Sequence, residues 1–249
     1  MEWADEGVVL GVKRHGESSA ILEAMTPRHG RHLGLVLGGR SRKQRPVLQP
    51  GNSVALVWRA RLEEQLGNFL PEGTILRAGR LMESAAALNG LGLLAAHLRL
   101  LPERDPHPVL YEALVDIVDG LDVPVTAAAS MVRFEQLLLA ELGFGLDLAS
   151  CAATGIVDDL VYVSPKSGRA VSAEAGLPYR DQLLPLPGFL IRVGPENAPG
   201  PDALAAGFRL TGFFLLRHLY EARGQSLPDA RSRFVETVLR GVHGPEEPV

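Results

Sequence analysis

The chain reads as an α+β protein in which a small β-barrel precedes an all-α helical domain. Three observations predict this. Residues 1–80 carry short apolar runs broken by Gly, Pro and Asn, the residues after 80 turn to Ala and Leu at helical spacing, and the charge divides at the same place. Residues 1–80 hold 12 Lys and Arg against 8 Asp and Glu, a net +4, whereas residues 81–249 hold 13 against 21, a net −8. The overall charge of −4 therefore averages two unlike parts, and such asymmetry points to an interaction surface in the basic one.

In the first part, Gly7 to Val12 supplies Val8, Val9, Leu10 and Val12, and Ala20 to Met25 supplies Ile21, Leu22 and Met25. His32 to Leu37 and Ser53 to Trp58 follow, and a last run lies near Thr74 to Leu76. Four or five short runs bounded by turn residues predict a closed or nearly closed antiparallel barrel. Gly38 and Gly39 permit a sharp exit from the third strand, and Pro46, Pro50 and Gly51 are expected to hold the next loop open.

In the second part, Ser84 can cap a helix running to about Leu101, and Pro108 opens another that ends at Gly120. A third is expected from Val125 to Leu142, with Met131, Phe134, Leu138 and Leu142 on one apolar stripe. Asp202 to Ala222 and Pro228 to Val242 complete the set, and the tail GPEEPV is expected to fray. The domains expected are thus 1–80 and 81–249, the second carrying an irregular insert over 146–192.

Composition narrows the class. A hydrophobic share of 46% supports real cores. One cysteine, Cys151, excludes an intramolecular disulfide and suits a reducing compartment. The acidic start MEWADEGVVL is unlike a secretory signal, and Leu91 to Leu98 is too short to span a bilayer, so a cytoplasmic, membrane-free protein is expected.

The functional signal is Arg28 to Arg45, RHGRHLGLVLGGRSRKQR. It holds Arg28, Arg31, Arg40, Arg42, Lys43 and Arg45, and no Asp or Glu occurs between Glu23 and Glu63. With Lys13 and Arg14 extending it, the run predicts a track for an anionic polymer; a solvated basic hairpin is the competing reading. His29 and His32 sit beside Arg28 and Arg31 as candidate phosphate contacts or plain turn residues. Trp58 and Phe69 are candidate stacking platforms, with burial in the barrel the competing fate. About six neutralised phosphates give a log–log salt slope near −4 on single strands. Catalytic patterns are absent: Gly90, Gly92 and Ala95 spell a dinucleotide fingerprint inside a helix-like segment, GGRSRKQ lacks a Walker ending, and the adjacent acids Glu63-Glu64 and Asp158-Asp159 point to different sides. No enzyme activity and no cofactor is expected.

The opening GVVLGVKRHGESSAILEAMTPRHGR, followed by GGRSRKQRPVLQPG, resembles the N-terminal domain of the RecO family of bacterial recombination mediators. The resemblance continues through Phe134, Glu135, Leu138 and Leu139, through LGF, LDLxxC and SGRAVS, and so covers nearly the whole chain. It implies an oligonucleotide-binding (OB-fold) barrel, a helical domain, and DNA repair through the RecF pathway. It further implies binding of single- and double-stranded DNA, strand annealing, and, with RecR, help for RecA in replacing single-stranded DNA-binding protein. The acidic tail of that protein would dock on the helical domain, with Arg133 a candidate anchor, and RecF is a further implied partner. Many family members hold zinc with four cysteines in the insert. The matching positions here are Cys151, Thr154, Ser172 and Ala175, a degenerate zinc-finger-like region in which one thiol cannot hold the metal. No zinc is expected, and Cys151 is expected to be buried as a small hydrophobe. An RNA-binding or translation-associated barrel is the alternative function, and an interaction module without nucleic acid is a third.

Overall fold

The structure is a computed structural model that describes residues 1–191 and 199–243. The chain forms two compact units, Met1–Asp122 and Val123–Val249. In the first, β1 (Glu2–His15), β2 (Ser19–Thr26), β3 (Gly30–Val36), β4 (Ser53–Arg59) and β5 (Asn68–Ile75) pair in the order β1-β2-β3-β5-β4 and close into a barrel. It is filled by Val9, Leu22, Ala24, Val36, Val54, Leu56, Trp58 and Phe69. Closure rests on a narrow seam, since β3 and β5 meet in parallel at the single pair Leu35–Asn68.

The first strand is much longer than the apolar run Gly7–Val12. Glu2 to Val8 pairs with β4 and Val8 to His15 with β2, with an irregularity between Val9 and Gly11. Its polar ends are strand because both neighbours satisfy their backbone groups, which hydropathy does not register. The fifth strand likewise starts earlier than the run near Thr74. The loop after β3 is coiled rather than held open: Arg45 N–H bonds to Ser41 O and Leu48 N–H to Gln44 O, each at 3.0 Å. Gly38 makes the exit at φ +65°.

Three helices complete this unit: α1 (Ala78–Leu81), α2 (Ala85–Leu98), capped by the Ser84 hydroxyl accepting from Ala87 N–H, and α3 (Pro108–Gly120). The change from strand to helix falls near residue 80, but compactness divides the chain at 122. The reason is side-chain ties back to the barrel. Arg77 donates to Ser53 Oγ at 2.6 Å and to Asp119, while Arg99 donates to Glu23 at 2.6 Å. Gly90 lies within α2, so the dinucleotide pattern has no strand before it.

The second unit contains α4 (Pro124–Glu141), α6 (Pro201–Leu215) and α7 (Asp229–His243). The helix expected to continue to Ala222 changes at Leu216 into a π turn through Tyr220 and ends at Gly224, which adopts φ +66°. Arg231 bridges Glu135 at 2.8 and 2.9 Å in the interior, where Thr211 donates a hydroxyl to the same carboxylate. The insert is not wholly irregular. It holds β6 (Leu160–Val163), β7 (Ala170–Ser172), a short helix α5 (Ala173–Gly176) and β8 (Leu184–Pro185), with sheet order β7-β6-β8. Arg192, which ends the expected insert, and the GPEEPV tail lie outside the described residues.

Cys151 is buried in this insert and accepts from the Ser172 backbone N–H at 3.3 Å and the Ser172 hydroxyl at 3.4 Å. Burial pushes the thiol up, but hydrogen bonds from the Ser172 and Thr154 hydroxyls outweigh it and bring it down to about 6. Cys151 is thus a hydrogen-bond acceptor as well as a packed apolar group. Three of the four positions that align with cysteine ligands are joined by these bonds. Among the described residues no three His, Cys, Asp or Glu side chains gather as metal ligands.

Candidate nucleic-acid interface

The eight candidate cations separate into groups at opposite ends of the barrel. At one end, the β1–β2 hairpin and the coiled loop after β3 enclose a cleft of about 330 Å³, lined in part by Val12, Arg14, Ala20, Arg40, Arg45 and Leu48. Register explains why Arg14 is there and Lys13 is not. Val12 pairs with Leu22, a core residue, and Arg14 pairs with Ala20, so both lie on the inner face of the hairpin. Lys13 pairs with Ile21 and faces the other way.

Arg14, Arg40, Arg42, Lys43 and Arg45 are all exposed. Arg40 donates to the carbonyl oxygens of Gly16 and Glu17 at 3.2 and 2.6 Å, which orients its guanidinium without neutralising it. Among the described residues none of the five forms an ion pair. The cleft thus combines exposed cations, Arg40 among them held in place, with the apolar side chains of Val12, Ala20 and Leu48.

Arg28 and Arg31 stand at the opposite end, roughly 20 Å away along β2 at the usual rise per residue. Both are held by carboxylates from elsewhere in the chain. Arg28 Nε donates to Asp5 at 3.1 Å, although its side chain is 69% exposed. Arg31 is only 11% exposed and bridges Glu23 at 3.1 Å and Glu103 at 3.7 Å. Burial and pairing therefore leave Arg31 little free surface. The two histidines, candidate phosphate contacts or plain turn residues, are both engaged within the barrel. His29 Nδ1 lies 2.8 Å from Asp5, and His32 is buried, which lowers it to about 4 and leaves it neutral at pH 7.

Of the two readings of Trp58 and Phe69, burial in the barrel is the one that holds: each is 1% exposed, and Trp58 N–H donates to Leu66 O at 3.0 Å. Sequence reasoning missed Trp3. Its ring lies parallel to His29 with centroids 3.9 Å apart and to Trp58 at 5.7 Å. The alternation Trp3, Asp5, Gly7 on one strand face was the available signal, hidden because the run appeared to begin at Gly7. In the second unit, Arg133 is engaged, donating to Phe189 O at 3.3 Å.

A five-stranded barrel of the oligonucleotide-binding type followed by a helical region defines the class. Residues 1–78 match the family described as Recombination protein O N terminal, and residues 90–228 match Recombination protein O C terminal. The chain is 60% identical over 242 residues to a "DNA repair protein RecO" of Chelativorans sp. (strain BNC1), covering 97% of each. It is 60% identical to that of Mesorhizobium japonicum, covering 96% of this chain and 94% of the relative, and 55% identical to that of Agrobacterium fabrum, covering 100% and 97%. The chain belongs to the recombination protein O family. No helix among the described residues is long and apolar enough to cross a membrane.

Proposed function

We propose that this chain is a DNA-binding recombination mediator that grips a strand by its backbone in the cleft of Arg14, Arg40 and Arg45, with Arg42 and Lys43 on its rim. The observation that carries this reading is that Arg14, Arg40 and Arg45 line one cleft of the barrel, with Arg42 and Lys43 exposed on the same loop and, among the described residues, no ion pair at any of the five. Contacts of this kind follow sugar and phosphate and ignore sequence, which suits repair of any broken DNA. They also leave the bases free. Two strands held this way have part of their mutual repulsion screened, and annealing then requires no covalent step and no cofactor.

The relatives' description as DNA repair proteins supports the setting. In it the protein binds single- and double-stranded DNA in the cytoplasm and, with RecR, helps RecA replace single-stranded DNA-binding protein, whose acidic tail docks on the helical part. RecF is a further partner in the same pathway. Lys13 and Arg28 stay outside the main track, Lys13 by its orientation and Arg28 by its bond to Asp5.

Two measurements test this. Five contacts give a log–log salt slope of about −3.5 on single strands. Annealing of complementary strands, both coated with the cognate single-stranded DNA-binding protein, should be accelerated by the wild-type chain. A slope near zero, or RNA outcompeting single-stranded DNA at fixed salt, would sink the reading.

A further inference from the structure

Four of the five unpaired cations, Arg40, Arg42, Lys43 and Arg45, ride on the loop between β3 and β4. Arg40 N–H donates to Ser18 O at 3.0 Å where this loop leaves the barrel, and Gly51 N–H donates to Val9 O at 2.9 Å where it returns. Between these anchors the bonds from Arg45 N–H to Ser41 O and from Leu48 N–H to Gln44 O stay inside the loop. They shape the coil without placing it. Leu48, 3% exposed, packs into the barrel interior, but apolar contact has no direction.

Direction comes from Asn52, an uncharged residue that is 0% exposed. Its Nδ2 donates to the carbonyl oxygens of Pro46 and Val47 at 2.8 and 3.1 Å, and its Oδ1 accepts from Ala78 N–H at 2.9 Å. Its backbone carbonyl accepts from Val9 N–H at 2.9 Å. The two loop carbonyls can only accept and the Ala78 amide can only donate, so the site demands two donors and an acceptor on one short side chain. An amide supplies that set, whereas a carboxylate offers no donor. Asn52 thus joins the cation loop, the start of α1 and β1 at one buried point. The neighbouring Ser53 makes a bond that bypasses the loop, its Oγ accepting from Arg77 at 2.6 Å.

We propose that Asn52 is the positioning residue of the DNA grip: it sets the loop before a strand arrives, so that the four cations meet phosphates from a preformed arrangement. The proposal rests on the cleft reading and adds what keeps the cleft in shape. A preformed loop spares the cost of ordering long side chains on binding, which makes affinity depend on a residue that touches no phosphate.

Asn52→Asp separates the two ties. At pH 8 the carboxylate still accepts from Ala78 N–H but faces the Pro46 and Val47 carbonyls with no proton to give, so the loop is released with its charges intact. Affinity for a single-stranded oligonucleotide should fall about tenfold, the cost of re-ordering one or two long side chains, while the log–log salt slope stays as in the wild type. The same change added to the variant with Arg40, Arg42, Lys43 and Arg45 all replaced by Ala, measured at low salt, should cost less than about twofold, because residues that act through one another are not additive. Ser53→Ala should lower stability and leave DNA affinity unchanged. In the wild type the Arg45 and Leu48 amides should exchange slowly without DNA and gain less than about twofold protection when it is added, a readout that stands even if Asn52→Asp does not fold. An unchanged affinity, an equal loss in both backgrounds, or loop amides that exchange fast until DNA is added would overturn the proposal and leave the cleft reading standing. If the fourfold Ala variant bound DNA as the wild type does, the cleft reading would fall and this proposal with it.

Discussion

The two ends of one barrel, built from the same carboxylate-poor stretch of sequence, have opposite electrostatic outcomes. Arg14, Arg40 and Arg45 of the cleft, and Arg42 and Lys43 on the same loop, face solvent without an ion pair among the described residues. At the other end, Asp5 holds Arg28 and His29, and Glu23 with Glu103 holds Arg31. Absence of acids along a chain does not mean absence of acids in space. The β1–β2–β3 pairing brings carboxylates from both flanks to one end, and β1 passes the other end with Lys13 and Arg14 instead.

The contrast yields predictions of decreasing size. Arg40, Arg42, Lys43 and Arg45 changed together to Ala should abolish annealing and flatten the salt slope by about 2.8, four contacts at about 0.7 each. Unchanged binding in a salt titration would place the strand elsewhere and erase the distinction between the ends. Next is the pH response of the interior beside the paired end. His32 sits at about 4 in the folded protein and near 6.5 when unfolded, so the unfolded chain takes up the proton first as pH falls. This contribution is fully present above about pH 6.5 and is lost by about pH 4, costing up to about 3 kcal/mol. Urea midpoints measured across that window should fall in the wild type and flatten in His32→Leu.

Asp5→Asn comes third. It leaves Arg28 and His29 without their buried carboxylate, whose side chain is 2% exposed, and should cost about 2 kcal/mol of stability. If it also strengthened DNA binding severalfold, the paired end would be a latent part of the track. The smallest effects come from a matched pair of variants. Arg14→Ala should weaken DNA binding by a few fold with stability unchanged, whereas Arg31→Ala should lower the melting temperature with DNA binding unchanged. The reverse pattern in gel shift and thermal unfolding would invert the assignment of the ends.

Much of the fold was legible because periodicity reports burial. The helices at Ala85, Pro108 and Pro124 begin within a residue of the starts expected from Ser84, Pro108 and Val125. The ends of β1 were not legible, since Glu2 and His15 are strand through pairing and not through burial. The small sheet of the insert was hidden for a related reason: β7 has three residues and β8 two, too short for alternation to show. For the site, the run Arg40–Arg45 announced itself by charge alone. The pairing of Arg31 did not, because its partners Glu23 and Glu103 lie 8 and 72 positions away. Trp3 was missed because the apolar run appeared to begin only at Gly7.

The single Leu35–Asn68 rung deserves its own reckoning. Every other join in the barrel is a ladder of several rungs, so this one behaves as a latch on a rolled sheet. Leu35 N–H, bonded to Gly67 O at 2.9 Å, sits at the catch. Its amide should exchange with deuterium well ahead of those of Leu22 or Leu56, giving the cylinder a built-in place to unroll while the remaining strands stay in register.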